Sequence, residues 1–319
     1  MKTTIFKFFA VASMAVLAQG CVKDLQDEIN NGNWNHERQV LDIKFDNQVG
    51  LASIEIVDAT SGTIEIAINV DAVPDLSDIR LASMQLSYQA TASVKPGDAL
   101  NFDNPAREAS LSVTAASGET RTYTIHVSEF SEDICGVWNI QALTVYGGTG
   151  PEYGGGAVMP LTDKPWCWNE ATGPLAECDN TLTFTLDGVT ESGNTYGTCV
   201  NSPGADGKYF DAIYIGNNPE TGENVDLRHF FRRIPEGECK WLRDYSAGTV
   251  SFTDSDGNVT TGVFAGAGTK DMGYDNFFTI TDYAFEFSLD GTDDWTNIYT
   301  DYDKFVKKPR KFWITVRKQ

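Results

Sequence analysis

Histidine is scarce. The 319 residues contain three, His36, His126 and His229. None clusters with the cysteines, and no Cys-x-x-Cys pair occurs, so a zinc-type site lacks a ligand set. No metal and no cofactor are expected. Basic residues are also few, with 24 Lys+Arg against 45 Asp+Glu and a formal charge of -21. Such a polyanion repels nucleic acid and anionic lipid; it favours neutral ligands, cations or basic partners. No stretch sustains a 3.6-residue apolar repeat, so a helical architecture is excluded. Neither a Gly-x-Ser-x-Gly elbow nor a Cys–His pairing is present, and an enzyme is not expected. The glycine-rich run from Gly147 to Gly156 is followed by Pro160 and a Cys-Trp loop. A phosphate cradle needs a helix N-terminus there, so this run reads as a mobile surface loop.

What is present starts at the N-terminus. Lys2 and Lys7 precede an apolar stretch that runs to Ala18, and small Gly20 stands before Cys21. Charge, apolar run and small residue in that order read as a signal peptide over residues 1–20. The stretch falls short of the roughly 20 apolar residues of a membrane span. Leu17-Ala18-Gln19-Gly20-Cys21 resembles the lipobox of bacterial lipoproteins, with Gln19 where a smaller residue is usual. That resemblance implies cleavage before Cys21 and lipid attachment there; more than one acyl chain makes such an anchor stable. From Cys21 onward the chain is 299 residues long and carries -23, since Lys2 and Lys7 leave with the leader. Residues 21–37 form an acidic linker. Its start, Val22 to Glu28, resembles the export tag of surface lipoproteins that accompany glycan-uptake systems. This implies an outer-membrane protein facing the cell exterior, with an outer-membrane glycan importer as a possible partner. A solvated tether is the plainer reading of the same residues.

From residue 38 the pattern becomes period two. Leu41, Ile43 and Phe45 alternate with polar residues, as do Ile64, Ile66, Ile68 and Val70, and Tyr123, Ile125 and Val127. Turn signals separate these runs, so short half-buried strands and a β-sandwich are expected. The closing pair, Ser112 to Val127, most resembles the immunoglobulin-like spacer module of those surface lipoproteins. The resemblance covers about residues 38–130 and implies a spacer without chemistry. His126 shares the polar face of its strand.

Residues 134–319 read as a second, larger antiparallel β domain, either a sandwich or a lipocalin-like barrel. Gly136-Val137-Trp138 resembles the first strand of lipocalin-like lipoprotein domains. Asp254 to Asn258 reads as a hairpin turn rather than a calcium loop. Loop aromatics are the best functional lead: Trp166, Trp168, Trp241, Tyr245, Trp295 and Tyr299. Sugar C–H faces stack on aromatic rings while nearby carboxylates and amides accept hydroxyl protons. Core packing is the alternative for each, whereas Trp138 and Trp313 lie within strands and read as core. Five cysteines remain after Cys21. Cys167 and Cys178 bracket a short loop and are the first disulfide candidates, with Cys199 and Cys239 second. Acid pairs such as Asp301 with Asp303 are too many to single out a glycosidase dyad. The basic residues from Lys304 to Lys318 read as internal charge balance or as an acidic-glycan contact. Together these readings give a lipid-anchored all-β protein that captures a polysaccharide or glycan without cleaving it. A structural or adhesion lipoprotein is the alternative, and a glycoside hydrolase the remoter one.

Overall fold

The computed structural model describes residues 34–319 apart from Pro74, Gly216, Asn217 and Glu220. The leader, Cys21 and most of the acidic linker lie outside the described residues. The protein is all-β and divides into two compact units, one ending at Glu129 and one spanning Phe130–Gln319.

The first unit holds β1 (Val40–Phe45), β2 (Gln48–Ile56), β3 (Ser61–Asn69), β4 (Ile79–Leu86), β5 (Thr91–Ala92), β6 (Ala99–Leu100), β7 (Glu108–Thr114) and β8 (Thr120–Phe130). One sheet has the order β1-β4-β6 and the other β2-β3-β8-β7-β5. Side chains alternate across a strand, so one face of each sheet is apolar. Ile43 and Phe45, then Ile64, Ile66 and Ile68, then Leu111, Val113, Tyr123, Ile125 and Val127 meet in one buried cluster. The unit is therefore a sandwich, with the strand faces the alternation predicts. Gly62 is dictated by packing: a Cβ there would lie 2.6 Å from the Tyr123 ring and 2.9 Å from the Glu55 carbonyl. His126 lies on the outer face, 3.1 Å from Glu108.

The second unit contains β9 (Gly136–Gly147), β10 (Ala157–Pro160), β11 (Thr181–Val189), β12 (Thr195–Ser202), β13 (Ile213–Tyr214), β14 (Val225–Asp226), the one-turn helix α1 (Arg228–Phe231), β15 (Gly237–Asp244), β16 (Thr249–Thr253), β17 (Val259–Asp271), β18 (Phe277–Ser288) and β19 (Pro309–Lys318). Its sheet runs β9-β11-β12-β15-β16-β17-β18-β19, and β19 pairs back onto β9. Eight antiparallel strands thus close into a barrel, which removes the sheet edges. One side of β9 is shared: residues 136–139 pair with β11 and residues 144–147 with β10. The hairpin turn reading at Asp254 holds, since β16 ends at Thr253 and β17 starts at Val259. There the Asp254 carboxylate accepts the backbone N–H groups of Asp256 and Asn258 at 2.9 and 2.8 Å.

An eight-stranded barrel is just wide enough for side chains to fill it. Trp138, Leu182, Phe184, Trp241, Phe252, Phe285, Phe287, Phe312 and Ile314 fill this one and belong to one buried cluster. Phe184 stacks on Phe285 with ring centroids 5.6 Å apart. A smaller cluster involves Tyr146, Phe278, Ile280, Ala284 and Trp313. Phe278 stacks on Trp313 at 4.3 Å, and the Trp313 indole donates to Glu286 at 3.1 Å.

Candidate functional site

Barrel topology decides which loops meet. In an antiparallel meander alternate connections share an end. One end therefore carries the segments 148–180, 203–236, 254–258 and 289–308. The other carries the turns 190–194, 245–248 and 272–276 with both termini of the unit. Trp166, Trp168, Trp295 and Tyr299 lie at the first end and Tyr245 at the second.

The first end is plugged by its own loops. Trp168 is 2% exposed and packs edge-on against Phe210 and Tyr214. Its indole N–H donates to the Leu161 carbonyl at 3.0 Å. Cys167 is equally buried beside Tyr214, and burial pushes its thiol up to about 11. Cys178 is likewise pushed up to about 11 by burial and donates to the Pro174 carbonyl at 3.5 Å. In the structure the two sulfurs, the first disulfide candidates of the sequence, serve different neighbours and are not bonded to one another. Trp241 is also removed from the candidate surface. It points into the barrel, 1% exposed, with its indole N–H on the Thr185 carbonyl at 3.0 Å. Gly197 makes room for it, since a Cβ there would lie 2.8 Å from the Trp241 indole nitrogen. Tyr245 sits at the opposite end, where its hydroxyl donates to the buried Glu132 carboxylate. Arg243 pairs with that same carboxylate at 2.5 Å. Trp168, Trp241 and Tyr245 are thus structural.

Trp166, Trp295 and Tyr299 are different. They are 61%, 56% and 59% exposed, and Tyr153, which sequence reasoning passed over inside the glycine-rich run, is 65% exposed. Trp295 meets Tyr153 edge to face at 6.0 Å, and the Tyr299 hydroxyl donates to the Tyr153 carbonyl at 3.2 Å. Trp166 donates its indole N–H to Asp301 at 3.3 Å. Lys164 bridges the same carboxylate at 3.1 Å and lies 5.2 Å from the Trp166 ring centroid. A depression of about 320 Å³ opens here, lined by Trp166, Pro219, Asn297, Thr300, Asp301 and Tyr302 among others. A second, of about 330 Å³, has Pro165, Trp168, Asn169, Pro174 and Leu175 in its wall. Both adjoin the turn that carries Trp166.

Buried groups hold these loops. Asp303 is fully buried and accepts the Thr149 N–H at 2.7 Å and its hydroxyl at 2.8 Å. The Thr149 hydroxyl in turn accepts the Asp294 N–H at 2.7 Å. Asp294 caps the following turn through Thr296 and Asn297, both at 3.1 Å. Burial acts to raise the Asp294 carboxyl, but these donors together hold it below the usual range. The glycine-rich run, expected as a mobile surface loop, is packed at its start and near its end while Glu152 to Gly154 stand exposed. Gly147 through Gly150 are buried. A Cβ at Gly148 would fall 2.0 Å from the Gly155 carbonyl oxygen, and one at Gly155 would fall 1.8 Å from that of Thr149. The Asp301/Asp303 pair splits its duties: Asp301 faces the depression and Asp303 ties the loops. Basic residues near the C-terminus are mostly paired within the unit: Lys308 with Asp293 at 3.0 Å, Arg317 with Asp282 at 2.8 Å, and Lys311 with Glu286. That arrangement favours internal charge balance over an acidic-glycan contact. Among the described residues no group of three His, Cys, Asp or Glu is placed to hold a metal ion, and no helix is long and apolar enough to cross a membrane.

No protein-family model and no curated protein matches the chain. Two solved structures that resemble it come from Bacteroides. A candidate secreted protein of Bacteroides fragilis NCTC 9343 is 16% identical, covers 30% of this chain and 98% of its own, and gives a TM-score of 0.23. A protein of unknown function from Bacteroides ovatus is 8% identical, covers 73% of this chain and 68% of its own, and gives a TM-score of 0.16. Likeness at this level assigns no function.

Proposed function

We propose that the barrel unit binds a glycan without cleaving it, in a surface lipoprotein held to the outer membrane at Cys21. One observation carries the reading: Tyr153, Trp166, Trp295 and Tyr299 stand more than half exposed on loops gathered at one barrel end. Exposed aromatics whose loops are already fixed offer stacking area at little ordering cost on binding. Asp301, Asn297 and Thr300 stand beside them as partners for sugar hydroxyls. A non-catalytic role is supported by the acid count, since Asp301 is the one carboxylate among the described lining residues of that depression. Glycoside hydrolysis uses two. The sandwich unit serves as a spacer in this reading, and an outer-membrane importer is the natural recipient of the captured glycan.

Affinity electrophoresis of the full mature chain through gels containing a panel of polysaccharides tests the proposal, with reducing-sugar release measured in parallel. Retardation by at least one polysaccharide, lost in a Trp166→Ala/Trp295→Ala variant and without sugar release, is the expected result. Unaltered mobility in every gel would favour the structural or adhesion role, and sugar release a hydrolase.

A further inference from the structure

Inside the barrel, Cys199 on β12 and Cys239 on β15 stand directly opposite one another across the antiparallel ladder. They are 0% and 4% exposed. Opposed residues of an antiparallel pair have Cα atoms about 4.5 or 5.5 Å apart, depending on the site in the ladder. Both spacings fall within the roughly 4.4–6.8 Å that a disulfide spans. Cys167 and Cys178, by contrast, are engaged with Tyr214 and Pro174.

We propose that Cys199 and Cys239 form a cross-strand disulfide when the chain folds under oxidising conditions. An export signal would bring the chain to such conditions. The oxidant is a thiol–disulfide exchange partner. Before the barrel closes, its disulfide is attacked by the Cys199 thiolate, which gives a mixed disulfide and releases one oxidant thiol. As the ladder forms, the Cys239 thiolate attacks the Cys199 sulfur and displaces the second oxidant thiol. The two cysteines have then lost two electrons and two protons, and the oxidant has gained them.

The bond would clamp both ends of the segment between β12 and β15. That segment supplies Phe210, Tyr214, Phe230 and Phe231 to the plug around Trp168. The clamp would keep the loop end from opening while leaving Trp166 and Trp295 exposed.

The leaderless chain, denatured and reduced, is refolded with an excess of glutathione disulfide over glutathione. It is then acid-quenched, denatured, alkylated without reductant and cut with chymotrypsin. Cleavage after Tyr196 separates Cys199 from Cys167 and Cys178. The proposal expects one linked peptide pair joining Cys199 to Cys239, which splits on reduction, while Cys167 and Cys178 carry the alkyl group. Refolding with glutathione alone should leave every cysteine of the chain alkylated. Alkylation of both Cys199 and Cys239 after oxidative refolding, or linkage of Cys199 to another cysteine, would overturn the proposal. The readout uses wild-type protein, so it does not depend on a variant that folds.

Discussion

Four tryptophans of the barrel unit divide by burial into two pairs. Trp166 and Trp295 are exposed, while Trp168 and Trp241 are sealed, with their indole N–H groups on backbone carbonyls. Replacing either exposed residue by Ala should leave the unfolding midpoint nearly unchanged and weaken glycan binding by about tenfold or more, since interface Trp residues often contribute over 1 kcal/mol. Replacing Trp168 or Trp241 should instead remove about 3–5 kcal/mol of stability, read by denaturant titration. Asp303→Ala strands the Thr149 N–H and hydroxyl in the interior, an expected loss of about 1–3 kcal/mol per unsatisfied group. Faster amide exchange in residues 148–155 and weaker binding should accompany it while the barrel persists. The sequence did not separate Trp166 from Trp168, because loops impose no period. The turn at Pro165–Cys167 places two residues only two positions apart in opposite environments. Tyr153 was hidden for the same reason, inside a run whose glycines suggested looseness. Those glycines instead allow backbone to approach backbone.

Strands were far more legible. Ile64, Ile66 and Ile68, like Tyr123, Ile125 and Val127, are all buried, as period-two alternation requires. A barrel was one of two alternatives the sequence left open; the choice was not legible, because closure depends on β9 meeting β19 across almost the whole unit, a contact no local pattern encodes. That seam can be tested by truncation. Ending the chain at Lys308 removes Phe312, Trp313, Ile314 and Val316, all buried, and re-exposes two sheet edges. The far-UV strand signal of the second unit should be lost and the product should aggregate. The outer face of the seam also responds to acid. Burial acts to raise the Glu286 carboxyl, but hydrogen bonds from Lys311 and Trp313 and the charge of Lys270 leave it below its ordinary 4.5. A group depressed on folding stabilises the fold fully above its unfolded value and progressively less as pH falls through its folded value. Thermal unfolding followed below pH 4.5 should therefore show a smaller acid-induced loss in Glu286→Gln than in the wild type.

At the scale of the whole molecule the chain combines a sandwich, a filled barrel and a strong negative charge. Among the described residues the barrel interior is packed with Phe and Trp, so the proposed glycan contact falls to its loop end. In that proposed role the -21 charge would favour neutral glycans over acidic ones. Selective tryptophan oxidation provides the most direct test. N-bromosuccinimide at limiting dose, followed by peptide mass mapping, should modify Trp166, Trp295 and also Trp34, which is 55% exposed in the sandwich unit. With a polysaccharide that retards the protein present at saturation, Trp166 and Trp295 should be protected while Trp34 reacts as before. Equal oxidation of Trp166 and Trp295 with and without saturating polysaccharide would contradict glycan binding at the loop end of the barrel.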